Sequence, residues 1–285
     1  MFYIGAHISR KKTLIDTIDN IIENKGNALQ IFASNPRSVN ITNINNSFFG
    51  NLNEIENYVN KNKFAIVIHS PYTINIAKPF INGKKIMDLD DCYWIKLIIH
   101  ELKIAHEINS YGCIIHTGKY TTNTKEEGLK NMKIAIKYVI NEIIRLKLNS
   151  KIILETASGQ GTELLNNYQD FLDFYNSFTK KEKNYFKLCI DTCHIWASGY
   201  ELQEIFNLTI KNGNINDIAI IHVNNSKNPK NSHLDRHEEM INKDGYIDIN
   251  DILNFIKNMK DKSKDLIIIL ETPSANFKYE IELLL

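Results

Sequence analysis

The sequence is short of the residues that mark unusual chain classes. It has only 5 prolines and 12 glycines in 285 residues, too few for a collagen-like or low-complexity polymer. Its four cysteines, Cys92, Cys113, Cys189 and Cys193, are too sparse for a disulfide framework. No two of them form the C-x-x-C pair of a zinc ribbon or redox site, so reduced, buried thiols are expected. No apolar run approaches the roughly 18 residues that a membrane helix needs. The chain opens directly into Phe2-Tyr3-Ile4 rather than a charged segment followed by an apolar one, so a soluble, intracellular protein with no membrane partner is expected. Net charge is also scarce: 34 Lys and Arg stand against 33 Asp and Glu, leaving +1. That balance excludes a global positive field that would gather nucleic acid non-specifically, so any such binding must come from local geometry.

What is present is a repeated alternation of short β-branched runs and longer amphipathic stretches. Strands are expected at Tyr3–Ala6, Leu29–Ala33, Phe64–Ile68, Cys113–Ile115, Ile152–Leu154, Phe186–Ile190, Ile218–Val223 and Leu266–Leu270. Helices are expected near Thr13–Asn24, Ile55–Asn62, Asp90–Ile108, Lys125–Leu146, Glu163–Phe178, Tyr200–Leu208 and Ile249–Met259, with a short one closing the chain. Continuous apolar strands alternating with helices make a parallel sheet covered on its outer face. Eight such units in a chain of this length fit an α/β fold of the (β/α)8 TIM barrel type, as one domain over residues 1–285. Gly5-Ala6-His7 is not the glycine-rich phosphate loop that an open doubly wound sheet would carry after its first strand. The long polar segment from Asn224 to Ile247 is weakly periodic, and a loop of that length in a compact domain is usually functional.

Chemistry-bearing residues gather at the carboxyl ends of these strands. They are His7, Asn35, His69, His116, Glu155, Asp191 with His194, His222 and Glu271. In a parallel barrel those ends converge on one face, which is where an active site is expected. Carboxylates and imidazoles packed together call for a compensating cation, and hard oxygen with imidazole nitrogen suits Zn²⁺ or Mn²⁺ in a catalytic site. Asp235 and His237 stand at i, i+2 in the polar segment, a spacing that turns both to one side of an extended chain. The nine candidates His69, His116, Glu155, Asp191, His194, His222, Asp235, His237 and Glu271 are too many for one ion. At three or four ligands each, with a carboxylate shared, they would supply about three.

The stretches YIGAHIS, QIFASNPRS, IHSPYTINIAKP, IIHTGKY, ILETASGQGTE, CIDTCHIWASGY, IHVNNSK, LDRH and IILETP follow one another along the whole chain. In these the sequence resembles the endonuclease IV family of apurinic/apyrimidinic endonucleases, TIM barrels with a trinuclear zinc centre. The resemblance implies that His69 and His116 hold one ion, and that Glu155 bridges it to a second bound by Asp191, His222 and Glu271. A third would be held by His194, Asp235 and His237. The implied reaction is hydrolysis of the phosphodiester 5′ to an abasic site in double-stranded DNA. It leaves a 3′-hydroxyl and a 5′-deoxyribose phosphate, with 3′ phosphodiesterase clean-up as a related activity. Glu155 and Glu271 would be the catalytic carboxylates, the first keeping two ions close and the second orienting or deprotonating the attacking water. Arg37 and Tyr72 are implied to wedge or stack at the missing base, and Asn35 and His7 to touch the strand. The family also implies a monomer. Three divalent ions would make this face positive although the polypeptide is balanced.

Some positions depart from the family pattern. Val39 replaces a frequent aromatic residue, and Asn225 stands where Asp is usual, which is expected to neutralise a charged acceptor behind the ligands. The stretches Asn231-Ser232-His233 and Asn242-Lys243-Asp244-Gly245 differ around the Asp235 loop. His100, His106, Trp94 and Trp196 are expected to be packing or surface residues, and His233 falls outside the matched positions. Two other functions compete. A sugar isomerase or epimerase of the xylose isomerase-like barrels would use a similar His, Glu, Asp, His, Glu set but needs no third group. A damage-binding protein without catalysis has no reason to keep nine converging polar residues.

Overall fold

The computed structural model describes residues 2–41, 43–44, 46–82, 85–273 and 277–285. Eight parallel strands close into a barrel in chain order. They are β1 (Phe2–His7), β2 (Ala28–Phe32), β3 (Ala65–His69), β4 (Gly112–Ile115), β5 (Lys151–Glu155), β6 (Phe186–Asp191), β7 (Ile218–Val223) and β8 (Leu266–Leu270). Closure runs through β1, which pairs with β8 from Phe2↔Leu266 to Ala6↔Leu270 and with β2 from Gly5↔Ala28 to His7↔Gln30. Where β1 meets β2 the backbones approach so closely that a Cβ on Gly5 would lie 1.6 Å from the Ala28 carbonyl oxygen. Only glycine fits there.

The helices are α1 (Leu14–Glu23), α2 (Leu52–Asn62), α3 (Tyr93–Glu107), α4 (Lys125–Arg145), α5 (Tyr168–Asn176), α6 (Thr192–Ala197), α7 (Leu202–Lys211), α8 (Ile249–Lys262) and α9 (Phe277–Leu284). Local chemistry sets their starts. Thr13 with Asp16, and Thr124 with Glu127, form reciprocal capping boxes that satisfy otherwise orphaned amides of α1 and α4. The helix expected over Glu163–Phe178 is shorter, because Leu165 takes a left-handed φ of 63° and Asn167 caps the helix two residues later. A single 3₁₀ turn, Leu89–Asp91, precedes α3 where a continuous helix from Asp90 is expected. The short α6 is absent from the sequence reading: Asp191 ends β6 and caps this helix at once, with no loop between.

Apolar side chains fill two regions. One lies between strands and helices, where the large buried rings of Phe171, Tyr175 and Phe186 pack. The other is inside the barrel and is built from Ala28, Val67, Ile114, Ile153, Cys189, Ile220 and Ile269 among others. All four cysteines are buried and free, as expected. Among the described residues no helix is long and apolar enough to cross a membrane.

Candidate metal centre

Side chains in a strand alternate between faces, so the residue two places beyond an interior position also points inward. Moving two residues up each strand from Gly5, Ala28, Val67, Ile114, Ile153, Cys189, Ile220 and Ile269 gives His7, Gln30, His69, His116, Glu155, Asp191, His222 and Glu271. Six of these were expected as metal ligands. Several are the last residues of their strands rather than the first beyond them, so the rigid ladder itself orients them.

The donor atoms fall into three groups. In the first, His69 Nε2 and His116 Nε2 lie 3.2 Å apart, and 3.4 and 3.3 Å from Glu155 Oε2. In the second, His222 Nδ1 is 2.8 Å from Glu155 Oε1, 3.2 Å from Glu271 Oε2 and 3.8 Å from Asp191 Oδ2. In the third, Asp235 lies 3.3 Å from His194 Nε2 and 3.1 Å from His237 Nε2, and His237 Nε2 is 3.6 Å from Asp191 Oδ2. Glu155 therefore spans the first two groups, and Asp191 spans the last two. Four ligands around one ion, at bonds of about 2.1 Å and tetrahedral angles, would be spaced by about 3.4 Å. The observed spacings match. Each triad, and the quartet Glu155, Asp191, His222 and Glu271, satisfies the requirement that one donor atom per residue converge.

Orphaned atoms point the same way. Glu155 Oε2 and His237 Nε2 are buried without a hydrogen-bond partner. The two imidazole nitrogens that face each other at 3.2 Å share a single proton in the polypeptide alone, and with both lone pairs free they would face one ion. Burial opposes ionisation of Glu155, yet the His222 and His116 rings hold its carboxyl well below the usual carboxylate range. Asp235 is likewise held low against its burial, by His194 and His237. Burial works against the charge on His237 too, but Asp191 and Asp235 raise it to about 9. These imidazoles and carboxylates are placed where they could hold a divalent cation.

Around the centre the loops are tied together. Asn224 Nδ2 donates to Asp191 Oδ2 at 2.7 Å, and Thr156 Oγ1 accepts from the Asp191 amide at 3.0 Å. The long polar segment bends back so that Asn225 and Ser226 pair antiparallel with Glu238 and His237. That hairpin delivers Asp235 and His237. Asn225 does not neutralise an acceptor behind the ligands, contrary to expectation. Its side chain points away from them, with Nδ2 donating to the Ile247 carbonyl at 2.9 Å and Oδ1 accepting from the Ile247 amide at 2.8 Å. Two adjacent asparagines have opposite duties because they face opposite ways.

At the rim, Arg37 is exposed on a turn that Asn35 closes by accepting the Arg37 amide at 2.9 Å. The Tyr72 amide donates to the Pro36 carbonyl at 2.9 Å, fastening the β2 and β3 loops together. Tyr72 is 60% exposed, yet its ring packs edge-on to His69 and His116, with ring centroids 5.9 Å apart in each pair. Beside it lies a cleft of about 310 Å³ lined by Tyr72, Asn75, His116, Lys119, Gln160 and Asp235. His7 sits inside rather than at the rim, with Nδ1 3.3 Å from Glu271 Oε1. Val39 is half exposed, and Trp94 and Trp196 pack as expected, the latter donating to the Asn228 carbonyl. Gln30, Asn224 and Thr156 were not singled out from sequence. For Gln30 a signal existed, a lone polar residue inside an apolar strand.

The closed parallel barrel places the chain among TIM barrels, and the model of the xylose isomerase-like TIM barrels matches residues 18–284. A protein named probable endonuclease 4 from Mycoplasma capricolum is 33% identical over 297 residues, covering 99% of this chain and 96% of its own length. The chain belongs to the endonuclease IV family of these barrels. The solved endonuclease IV of Thermus thermophilus superposes with a TM-score of 0.72 at 18% identity, over 99% of this chain and 98% of that one. A D-tagatose 3-epimerase-like protein gives 0.67 at 16%, over 98% and 94%, so the barrel is shared across different chemistries. Fold alone does not choose among them.

Proposed function

We infer that this chain is a metal-dependent endonuclease that hydrolyses the phosphodiester 5′ to an abasic site in duplex DNA. The products are a 3′-hydroxyl and a 5′-deoxyribose phosphate, and 3′ blocked ends are cleared by the same centre. The observation that carries the reading is the third donor group. His194, Asp235 and His237 complete a set for about three ions, where a sugar isomerase has no use for the extra site. Zn²⁺ is the ion that the donors suit best, and Mn²⁺ the next. When bound, such ions supply Lewis acidity and lower the pKa of water at a phosphodiester.

The protein's own groups do the rest. His69 and His116 with Glu155 hold the first site, and His194, Asp235 and His237 the third. Asp191, His222 and Glu271 complete the second, with Glu155 and Asp191 tying the sites together. Glu271 keeps one oxygen on Gln30 and turns the other inward, where it can orient the attacking water and accept its proton. Burial first, and then the Glu271 and Glu155 charges, push the Tyr72 phenol up to about 12, so its hydroxyl stays a neutral donor beside a phosphate. The exposed Tyr72 ring and the Arg37 side chain are the groups that wedge or stack at the gap left by the missing base. A single barrel over residues 1–285, acting as a monomer, meets the needs of this reaction.

The test is incubation of the purified protein with duplex DNA carrying one abasic analogue, alongside metal quantification. Incision 5′ to the lesion with about three ions bound is expected. Intact DNA while the ions are retained would overturn the nuclease and favour the isomerase. Arg37→Ala should weaken binding to damaged DNA while metal content is unchanged, and unaltered binding would overturn its role at the gap.

A further inference from the structure

An imidazole has two nitrogens, and the partner of one decides which can face an ion. In three of the rings that partner is a backbone carbonyl. His69 Nδ1 donates to Ser70 at 2.9 Å, His194 Nδ1 to Thr156 at 2.8 Å and His237 Nδ1 to Glu271 at 3.3 Å. His222 differs. Its Nδ1 faces the carboxylates, and its Nε2 lies 2.8 Å from the side-chain Oε1 of Gln30. Gln30 is wholly buried and points into the barrel from β2. Its Nε2 is 2.5 Å from Glu271 Oε1 and 2.9 Å from His7 Nδ1.

Chemistry fixes which way this amide points. With Oε1 towards His222, the ring must donate from Nε2, and its Nδ1 lone pair is left for an ion. With Nε2 towards Glu271, an N–H meets a group that can only accept. Reversed, the amide would donate to His222 Nε2, force the ring proton onto Nδ1 and set a carbonyl oxygen against a carboxylate. His222 could then not act as a ligand.

We propose that Gln30 is the positioning residue of the second metal group: it sets the His222 tautomer and holds one Glu271 oxygen so that the other serves the ion. The proposal rests on reading the cluster as a metal centre, not on the nuclease activity. It also gives a role to the strands that supply no ligand. β1 and β2 carry His7 and Gln30 at the inward positions where the other strands carry ligands: Gln30 braces Glu271, and His7 Nδ1 accepts the second N–H of the same amide and so holds it in place.

The experiment strips wild type and Gln30→Met of metal with a chelator and titrates zinc back by chelator competition, with cobalt absorption as a spectroscopic readout. Met keeps the volume and removes all three of the amide's hydrogen bonds. Affinity for one ion should fall by roughly 10- to 100-fold, with an altered cobalt band, while the other ions and the far-ultraviolet dichroism stay unchanged. In zinc-loaded wild type, long-range proton–nitrogen NMR should find His222 protonated at Nε2. This measurement decides the matter should the variant fold poorly. A variant that binds every ion like wild type with the wild-type cobalt spectrum overturns the proposal, as does a loaded His222 protonated at Nδ1. Incision of abasic DNA by wild type is read in parallel. Inactivity with full metal binding sinks the nuclease reading while the metal data still decide the role of Gln30, whereas a wild type that binds no ion overturns both.

Discussion

Two levels of one barrel interior, a single side-chain repeat apart, have opposite chemistry. The lower level is Ala28, Val67, Ile114, Ile153, Cys189, Ile220 and Ile269, a buried apolar cluster. Two residues further along the same strands stand Gln30, His69, His116, Glu155, Asp191, His222 and Glu271, and most of these are equally buried. The lower level gains from excluding water and depends on fit. The upper level has polar groups that burial penalises unless each meets a partner, so it depends on complementarity. The apolar level is the floor that lets the polar one be crowded and still be held in place.

A second contrast makes the point with one residue type. Glu155 and Glu101 are both buried, at 1% and 0% exposure. Burial works to raise both, but imidazoles hold Glu155 far below the usual range. Glu101, on α3, is pushed by burial up to about 7, with the Ser34 hydroxyl and the Arg10 charge offsetting only part. Burial alone does not set the charge of a carboxyl; what faces it does.

Breaking the two levels separately should give different failures. Glu155→Ala removes the residue shared by two donor groups and should lower incision by roughly 1,000-fold or more, since groups that act as a unit fail together. Bound metal should fall with it while the circular dichroism is kept. Ile153→Ala, two residues below, should instead cost about 2–5 kcal/mol in chemical denaturation and leave metal content at the wild-type value. Equal effects of the two on metal would erase the distinction between floor and site.

The glutamate contrast sharpens under pH. A carboxyl with a raised folded pKa contributes stability fully below its unfolded value near 4.5, and that contribution is lost as pH rises through about 7. Glu101→Gln should remove this loss, so that the variant gains roughly 3 kcal/mol on wild type between pH 4 and pH 8. Identical pH profiles in urea melts would show that Glu101 ionises without penalty. The smallest effect is expected at Asn225→Asp, which restores the usual family residue but sets a carboxylate oxygen against the Ile247 carbonyl. A loss of about 1–3 kcal/mol is expected in the same melts.

Much of this was legible before folding. Apolar runs of about four residues, such as Ile218–Ile221, announce strands buried on both faces, and a polar residue just after each run, here His222, marks the mouth of a barrel. The ligand candidates could be named because imidazoles and carboxylates are rare at such positions. Helix α6 escaped notice because its six residues are too few to show a period, and its cap, Asp191, already read as the end of a strand. Gln30 escaped because a solitary amide in a strand has no partner visible along the chain; its three partners lie 23, 192 and 241 residues away.

The sequence by itself determined the period of two that puts Ile153 below Glu155 and Ile220 below His222, because a strand's side chains alternate whatever surrounds it. It also determined the number and kind of donors, since these are composition at fixed places. Only the tertiary structure decided which of Asn224 and Asn225 would face Asp191, and that the Gln30 amide would lie between His222 and Glu271. Those outcomes depend on register across strands and hairpins, where a shift of one residue turns a side chain to the opposite face.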